Sequence, residues 1–145
     1  MKAILNAGIP ASNYAHKSVT VVYIEDDHAS AMLVQCLLGM RVNYTFHHAV
    51  NGADGLELCR RLQPDLVLID LHLPDMTGCE IFKRLRADPA TCDLSCVVVS
   101  ADAMPGTISR ARDAGFAKYL TKPIDVRRFL HQLDELLEME ALACC

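Results

Sequence analysis

The sequence predicts an α/β domain built on a doubly wound, five-stranded parallel sheet, and three observations carry that prediction. Three short apolar runs rich in β-branched residues, at 19–24, 66–69 and 96–99, and two weaker ones alternate with segments whose apolar residues recur at helical spacing. The three apolar runs lack in/out alternation, as strands covered by helices on both faces require. Acidic residues, a serine and a lysine follow the C-terminal ends of these runs, where open α/β sheets place their ligands.

Residues 1–17, rich in Ala, Asn and Ser, show no sustained period and read as a tail or the end of a linker. The domain is expected over 18–140, with 141–145 as a C-terminal tail. A first strand is expected over 19–24. Ala29, Met32, Leu33, Cys36 and Leu37 then recur at helical spacing, which predicts a helix with that face inward and Gly39 as its stop. A weak strand over 44–48 follows. Asn51 caps a second helix carrying Leu56, Cys59 and Leu62, and Pro64 helps to end it before the third strand at 66–69. After the loop 73–78, Ile81, Phe82 and Leu85 mark a third helix. The fourth strand is expected over 96–99, a short helix over 107–114 stopping at Gly115, and the fifth strand over 117–120. The last helix sets Val126, Phe129, Leu130, Leu133, Leu136 and Leu137 on one face, with Arg127, Arg128 and Glu135 elsewhere.

Five strands alternating with five helices, joined by right-handed crossovers, make a three-layer sandwich of the flavodoxin-like kind with strand order 2-1-3-4-5. In that order the sheet reverses direction between the first and third strands. Their ends carry Glu25-Asp26-Asp27 and Asp70, so topology alone brings these acids together.

Composition removes other classes. With 145 residues, 52% hydrophobic and 22% charged, the chain suits one compact core. A formal charge of −4 with scattered Lys and Arg leaves no basic stripe to follow a nucleic-acid backbone, so no direct nucleic-acid binding is expected. No apolar run approaches the roughly 20 residues that cross a bilayer, and the N-terminus lacks signal-peptide organisation; a cytoplasmic protein without membrane contact is expected. The seven cysteines are odd in number, and Cys36 and Cys59, in apolar helical settings, are expected as buried reduced thiols. Cys92 and Cys96 lack a second pair or a nearby histidine couple, which argues against zinc.

Taken singly, Asp26 or Asp27 reads as the cap of the first helix, Asp70 as a loop cap and Lys122 as a solvated lysine. Taken together, Glu25, Asp26 and Asp70 repel one another unless a cation neutralises them, and an all-oxygen pocket suits Mg²⁺. Ser100 adds a hydroxyl and Lys122 a compact cation on the same rim. A carboxylate nucleophile, a cation site and a lysine for phosphate together make a phosphoryl-transfer site.

The segments VVYIEDD, LVLIDLHLPDMTG, VVVSA and YLTKP resemble, in order and spacing, those of the receiver domain of two-component response regulators. The likeness runs from about residue 19 to 137. It implies a signalling domain rather than an enzyme, whose only chemistry is its own phosphotransfer and autodephosphorylation. By resemblance Asp70 is the phosphoacceptor and Glu25 and Asp26 the acidic pair for Mg²⁺, with the backbone carbonyl of His72 completing the metal site. Ser100 is then the switch hydroxyl, Tyr119 the switch aromatic and Lys122 the phosphate-binding lysine, expected to precede a cis Pro123. His72, two residues past Asp70, and Asp102, two past Ser100, are expected to face each other across the entrance and to tune the lifetime of the aspartyl phosphate. The implied partners are a histidine kinase or histidine phosphotransfer protein, and a downstream protein met through the fourth helix, fifth strand and fifth helix, the domain being a monomer or weak dimer.

Within signalling, a phosphorelay intermediate, a phosphate sink or the excised receiver of a hybrid kinase fit the same motifs. A haloacid-dehalogenase-like phosphatase would place a second acid two residues after its nucleophile, where His72 stands here. A flavodoxin-like carrier would need a Ser/Thr/Gly-rich phosphate loop where Glu25-Asp26-Asp27 stand.

Overall fold

The structure, a computed structural model, describes residues 18–144; the expected N-terminal tail lies outside them. Elements follow in the order β1 (Val19–Ile24), α1 (His28–Leu38), β2 (Tyr44–Ala49), α2 (Gly52–Leu62), β3 (Leu66–Ile69), α3 (Gly78–Ala87), β4 (Cys96–Ser100), α4 (Pro105–Ala114), β5 (Lys118–Thr121) and α5 (Val126–Cys144). All pairings are parallel and the sheet order is β2-β1-β3-β4-β5, the order expected. Ile24 lies opposite both Ala49 and Ile69, so β1, β2 and β3 end level with one another at one edge.

Because successive strand residues face opposite sides, each central strand feeds two cores. Val21, Tyr23, Leu68 and Val99 pack with α1 and α5, while Val22, Ile24, Ile69 and Val98 pack with α2, α3 and α4. Local chemistry sets the helix starts. Asp27 accepts from the Ser30 amide at 3.1 Å, Asn51 from the Asp54 amide at 2.8 Å and Thr77 from the Glu80 amide at 3.1 Å, each satisfying an orphan donor of a first turn. Gly115, at φ 115°, closes α4 in the left-handed region that glycine enters without a steric penalty.

Four expectations are corrected. The buried face of α1 is Ala31, Val34, Leu37 and Leu38, while Met32 and Leu33 are 63% and 38% exposed and Ala29 and Cys36 point outward. The segment HASAMLVQCLL is apolar nearly all round, so two helical faces fit its spacing; the Asp27 cap and the short turn from β1 set the phase that turns the smaller Ala31 and Val34 onto the sheet. Cys36 is therefore an exposed thiol, whereas Cys59 is buried as expected. In α5, Phe129, Leu130, Leu133, Leu136 and Leu137 are buried but Val126, in the first turn, is half exposed. The same helix runs through residues 141–144, where a tail was expected, because Leu-Glu-Met-Glu-Ala-Leu-Ala contains only good helix formers and no stop.

Candidate functional site

The level ends of β1 and β3 put Glu25, Asp26 and Asp70 side by side, each offering a carboxylate oxygen within 4.8 Å of the others. Glu25 and Asp70 are buried and Asp26 is exposed. Adjacent Asp27 instead faces α1, where its hydrogen bonds from Ser30, side chain first, hold its carboxyl below the usual range. The cap and the clustered acids are thus different residues.

Every oxygen of the buried acids is engaged. Glu25 Oε1 accepts from the Tyr23 hydroxyl at 2.8 Å and from Lys122 Nζ at 2.5 Å, and its Oε2 from the Asp27 amide at 3.1 Å. Asp70 Oδ2 accepts from Lys122 Nζ at 3.3 Å and Oδ1 from the His72 amide at 3.2 Å. The lysine lies closer to Glu25, so in this state it serves chiefly as the counter-charge of the most buried carboxylate. Burial works against the charge on Lys122, but the Glu25 hydrogen bond and the Asp70 charge outweigh it and hold its pKa above the ordinary lysine value. The Lys122–Pro123 bond is cis.

Ser100, at the end of β4, is fully buried, and its hydroxyl accepts from the Asp102 amide at 3.1 Å. The Tyr119 hydroxyl donates to the Asp102 carbonyl at 2.5 Å, so serine and tyrosine grip the same β4–α4 loop. Burial raises the Tyr119 pKa against an opposing hydrogen bond with Ser100, which keeps the phenol a donor. The Asp102 carboxylate does not reach for His72. It accepts from the Met104 amide at 3.0 Å and the Thr107 hydroxyl at 3.1 Å, which turns it toward the start of α4. The exposed His72 contributes its amide to Asp70 and bridges to Thr77.

Three contributors were missed in the sequence. Tyr23 reads there as core, yet it carries a buried hydroxyl bonded to Glu25. His48 Nε2 lies 2.6 Å from the Glu25 carbonyl oxygen, which only an N–H can serve. Asp75, in the β3–α3 loop, accepts from the Gly52 and Ala53 amides at 2.8 and 2.9 Å, which ties the loop to the start of α2 and lowers its carboxyl pKa. The one signal in the sequence for Tyr23 is its position two residues before Glu25, on the same face of one strand.

The donor set fits a hard divalent cation: three carboxylates, no nitrogen or sulfur, and an exposed acid on the solvent side to leave room for water. This is the only such cluster among the described residues, and no described helix is long and apolar enough to cross a membrane.

Comparison with known proteins agrees with the geometry. A sequence model of the response regulator receiver domain matches residues 21–134. The chain is 33% identical over 118 residues to the polar-differentiation response regulator DivK of Brucella anthropi, covering 81% of this chain and 95% of that protein. It is 37% identical over 117 residues to the DNA-binding dual master transcriptional regulator RpaA of Synechocystis, again 81% of this chain but 48% of that protein. A sensor protein from Polaromonas superposes with a TM-score of 0.75 at 29% identity, over 83% of this chain and 96% of that one. The CheY-like receiver domain protein of Methanospirillum hungatei superposes with a TM-score of 0.79 at 22% identity, over 88% and 99%, and supports the fold. With fold, rim and sequence in accord, the chain belongs to the receiver-domain family of two-component response regulators.

Proposed function

We propose that the domain accepts a phosphoryl group on Asp70 from the phosphohistidine of a histidine kinase or histidine phosphotransfer protein, and relays the change by contact with another protein. The observation that supports this most is a buried aspartate held 3.3 Å from a lysine Nζ beside two further acids. One oxygen of Asp70 is fixed by the His72 amide, which orients the carboxylate for attack on phosphorus. The new O–P bond forms as the P–N bond breaks, and the electron pair leaves with the donor imidazole. Lys122 then turns from the acids to a phosphoryl oxygen. Glu25, Asp26 and Asp70, with the His72 carbonyl, would hold Mg²⁺, which would supply neutralisation of the transferring oxygens.

The Ser100 hydroxyl, drawn inward to donate to the phosphoryl group, moves the oxygen that accepts from the Asp102 amide, and so reaches the loop that Tyr119 also holds. The readout is then the surface of α4, β5 and α5. Action by protein contact is supported by the match over 95% of DivK, which leaves little of that regulator outside the receiver. Incubation with acetyl phosphate and Mg²⁺ is expected to add one phosphate by intact mass, lost in Asp70→Asn and in chelator. Undiminished uptake in Asp70→Asn would overturn the assignment.

A further inference from the structure

Glu25 presents a problem that an aspartate would not. Its side chain has one more rotatable bond, its carboxylate is 1% exposed, and the cation it now pairs with, Lys122, is the group that must move to the phosphoryl oxygens. Left without that lysine, a buried carboxylate oxygen needs another donor. Tyr23 is that donor. It is fully buried, lies on the same face of β1, and its hydroxyl donates to the same Oε1 that Lys122 holds. A phenylalanine would fill the same apolar space between α1 and α5, so packing gives no reason for the hydroxyl.

We infer that Tyr23 is a positioning residue for the cation site, its hydroxyl pinning Glu25 Oε1 so that the carboxylate stays aimed when Lys122 departs. With the Asp27 amide on Oε2, the two fixed donors hold both oxygens and remove the freedom that the extra methylene adds. The inference rests on the phosphoryl-transfer reading of the site. A shorter acid at position 25 would end one bond short of the phenol and so would not depend on it.

The test is Mn²⁺ binding, followed by electron paramagnetic resonance, in the wild type, Tyr23→Phe, Glu25→Asp and the double variant, with folding checked by amide NMR. Tyr23→Phe is expected to weaken Mn²⁺ about tenfold, the scale seen when a partner outside the ligand set is removed. In the Glu25→Asp background the same change is expected to shift affinity by less than about twofold, since the phenol has no ligand left to hold. In the cation-free protein, the Glu25 carboxyl ¹³C resonance is expected to move in Tyr23→Phe. Equal losses in both backgrounds, or wild-type affinity and an unmoved resonance in Tyr23→Phe, would overturn the inference and leave the phosphoryl-transfer reading standing. A wild type that binds no Mn²⁺ would overturn both.

Discussion

Single residues in this domain are tuned by what they touch, and the tuning has measurable signs. Asp75 is held down by the Gly52 and Ala53 amides, so its folded-state pKa lies below the ordinary 3.8. Its contribution to stability is therefore present above that value and is lost as pH falls through the lower folded one. Asp75→Ala is expected to unfold at lower urea than the wild type at pH 7, with the gap closing below pH 3.8. For Lys122 the sign is reversed. Its raised pKa keeps its contribution complete below 10.5, and the contribution disappears only as pH rises through the still higher folded value, so it does not vary between neutrality and mild alkali. Burial pushes the Cys59 thiol up to about 12, whereas Cys36 and Cys79 are exposed. Alkylation at pH 8 is expected to label Cys36 and Cys79 in the native protein, and Cys59 only on unfolding.

At the scale of elements, β1, β3 and β4 were legible because runs buried on both faces read as such whatever their neighbours, and every strand lies within about a residue of its expected place. The rim followed from them: once β1 and β3 end level, Glu25, Asp26 and Asp70 must meet. The helix faces were legible only where polar residues marked the outside. In α3, Glu80, Lys83 and Arg84 leave Ile81, Phe82 and Leu85 a single inward choice, while the nearly uniform α1 offers two. Substitution separates the two choices for α1. Leu37→Ala is expected to cost about 2–5 kcal/mol of unfolding free energy, and Met32→Ala no more than about 0.5 kcal/mol. Partnerships that close only in three dimensions, such as Asp75 on the start of α2, leave no periodic trace in the sequence. The α3 start carries a related constraint. A Cβ on Gly78 would stand 2.7 Å from the Asp70 carbonyl oxygen and 2.9 Å from the Leu71 Cα, backbone atoms that cannot swing aside. Gly78→Ala is thus expected to displace the loop that follows Asp70 and to lower stability and, on the proposed function, acetyl-phosphate uptake.

Across the whole molecule, the two cores meet only through the sheet, so a change at the β4 and β5 ends is carried by the loop that Ser100 and Tyr119 share. Hydrogen exchange on phosphorylation is expected to change at α4 and β5 more than at α2; uniform or absent change would make the domain a phosphate store. On the opposite flank, Asp134 of α5 accepts from Arg41 at 2.6 Å and Tyr44 at 3.1 Å, which fastens the last helix to the start of β2.

Lys122 lies between Glu25 and Asp70, which makes it a built-in counter-ion for a pocket that would otherwise push itself apart. One lysine offsets part of the charge of three carboxylates, so the metal-free domain is expected to keep a cooperative thermal transition in chelator, unlike domains whose folding depends on metal. Removing the amine by Lys122→Ala strands a buried carboxylate, at a cost of about 3–5 kcal/mol. In that variant the midpoint is expected to climb with added Mg²⁺. On the proposed phosphoryl-transfer function, the pocket stands folded before the reaction with a lysine of the chain itself holding the acids together.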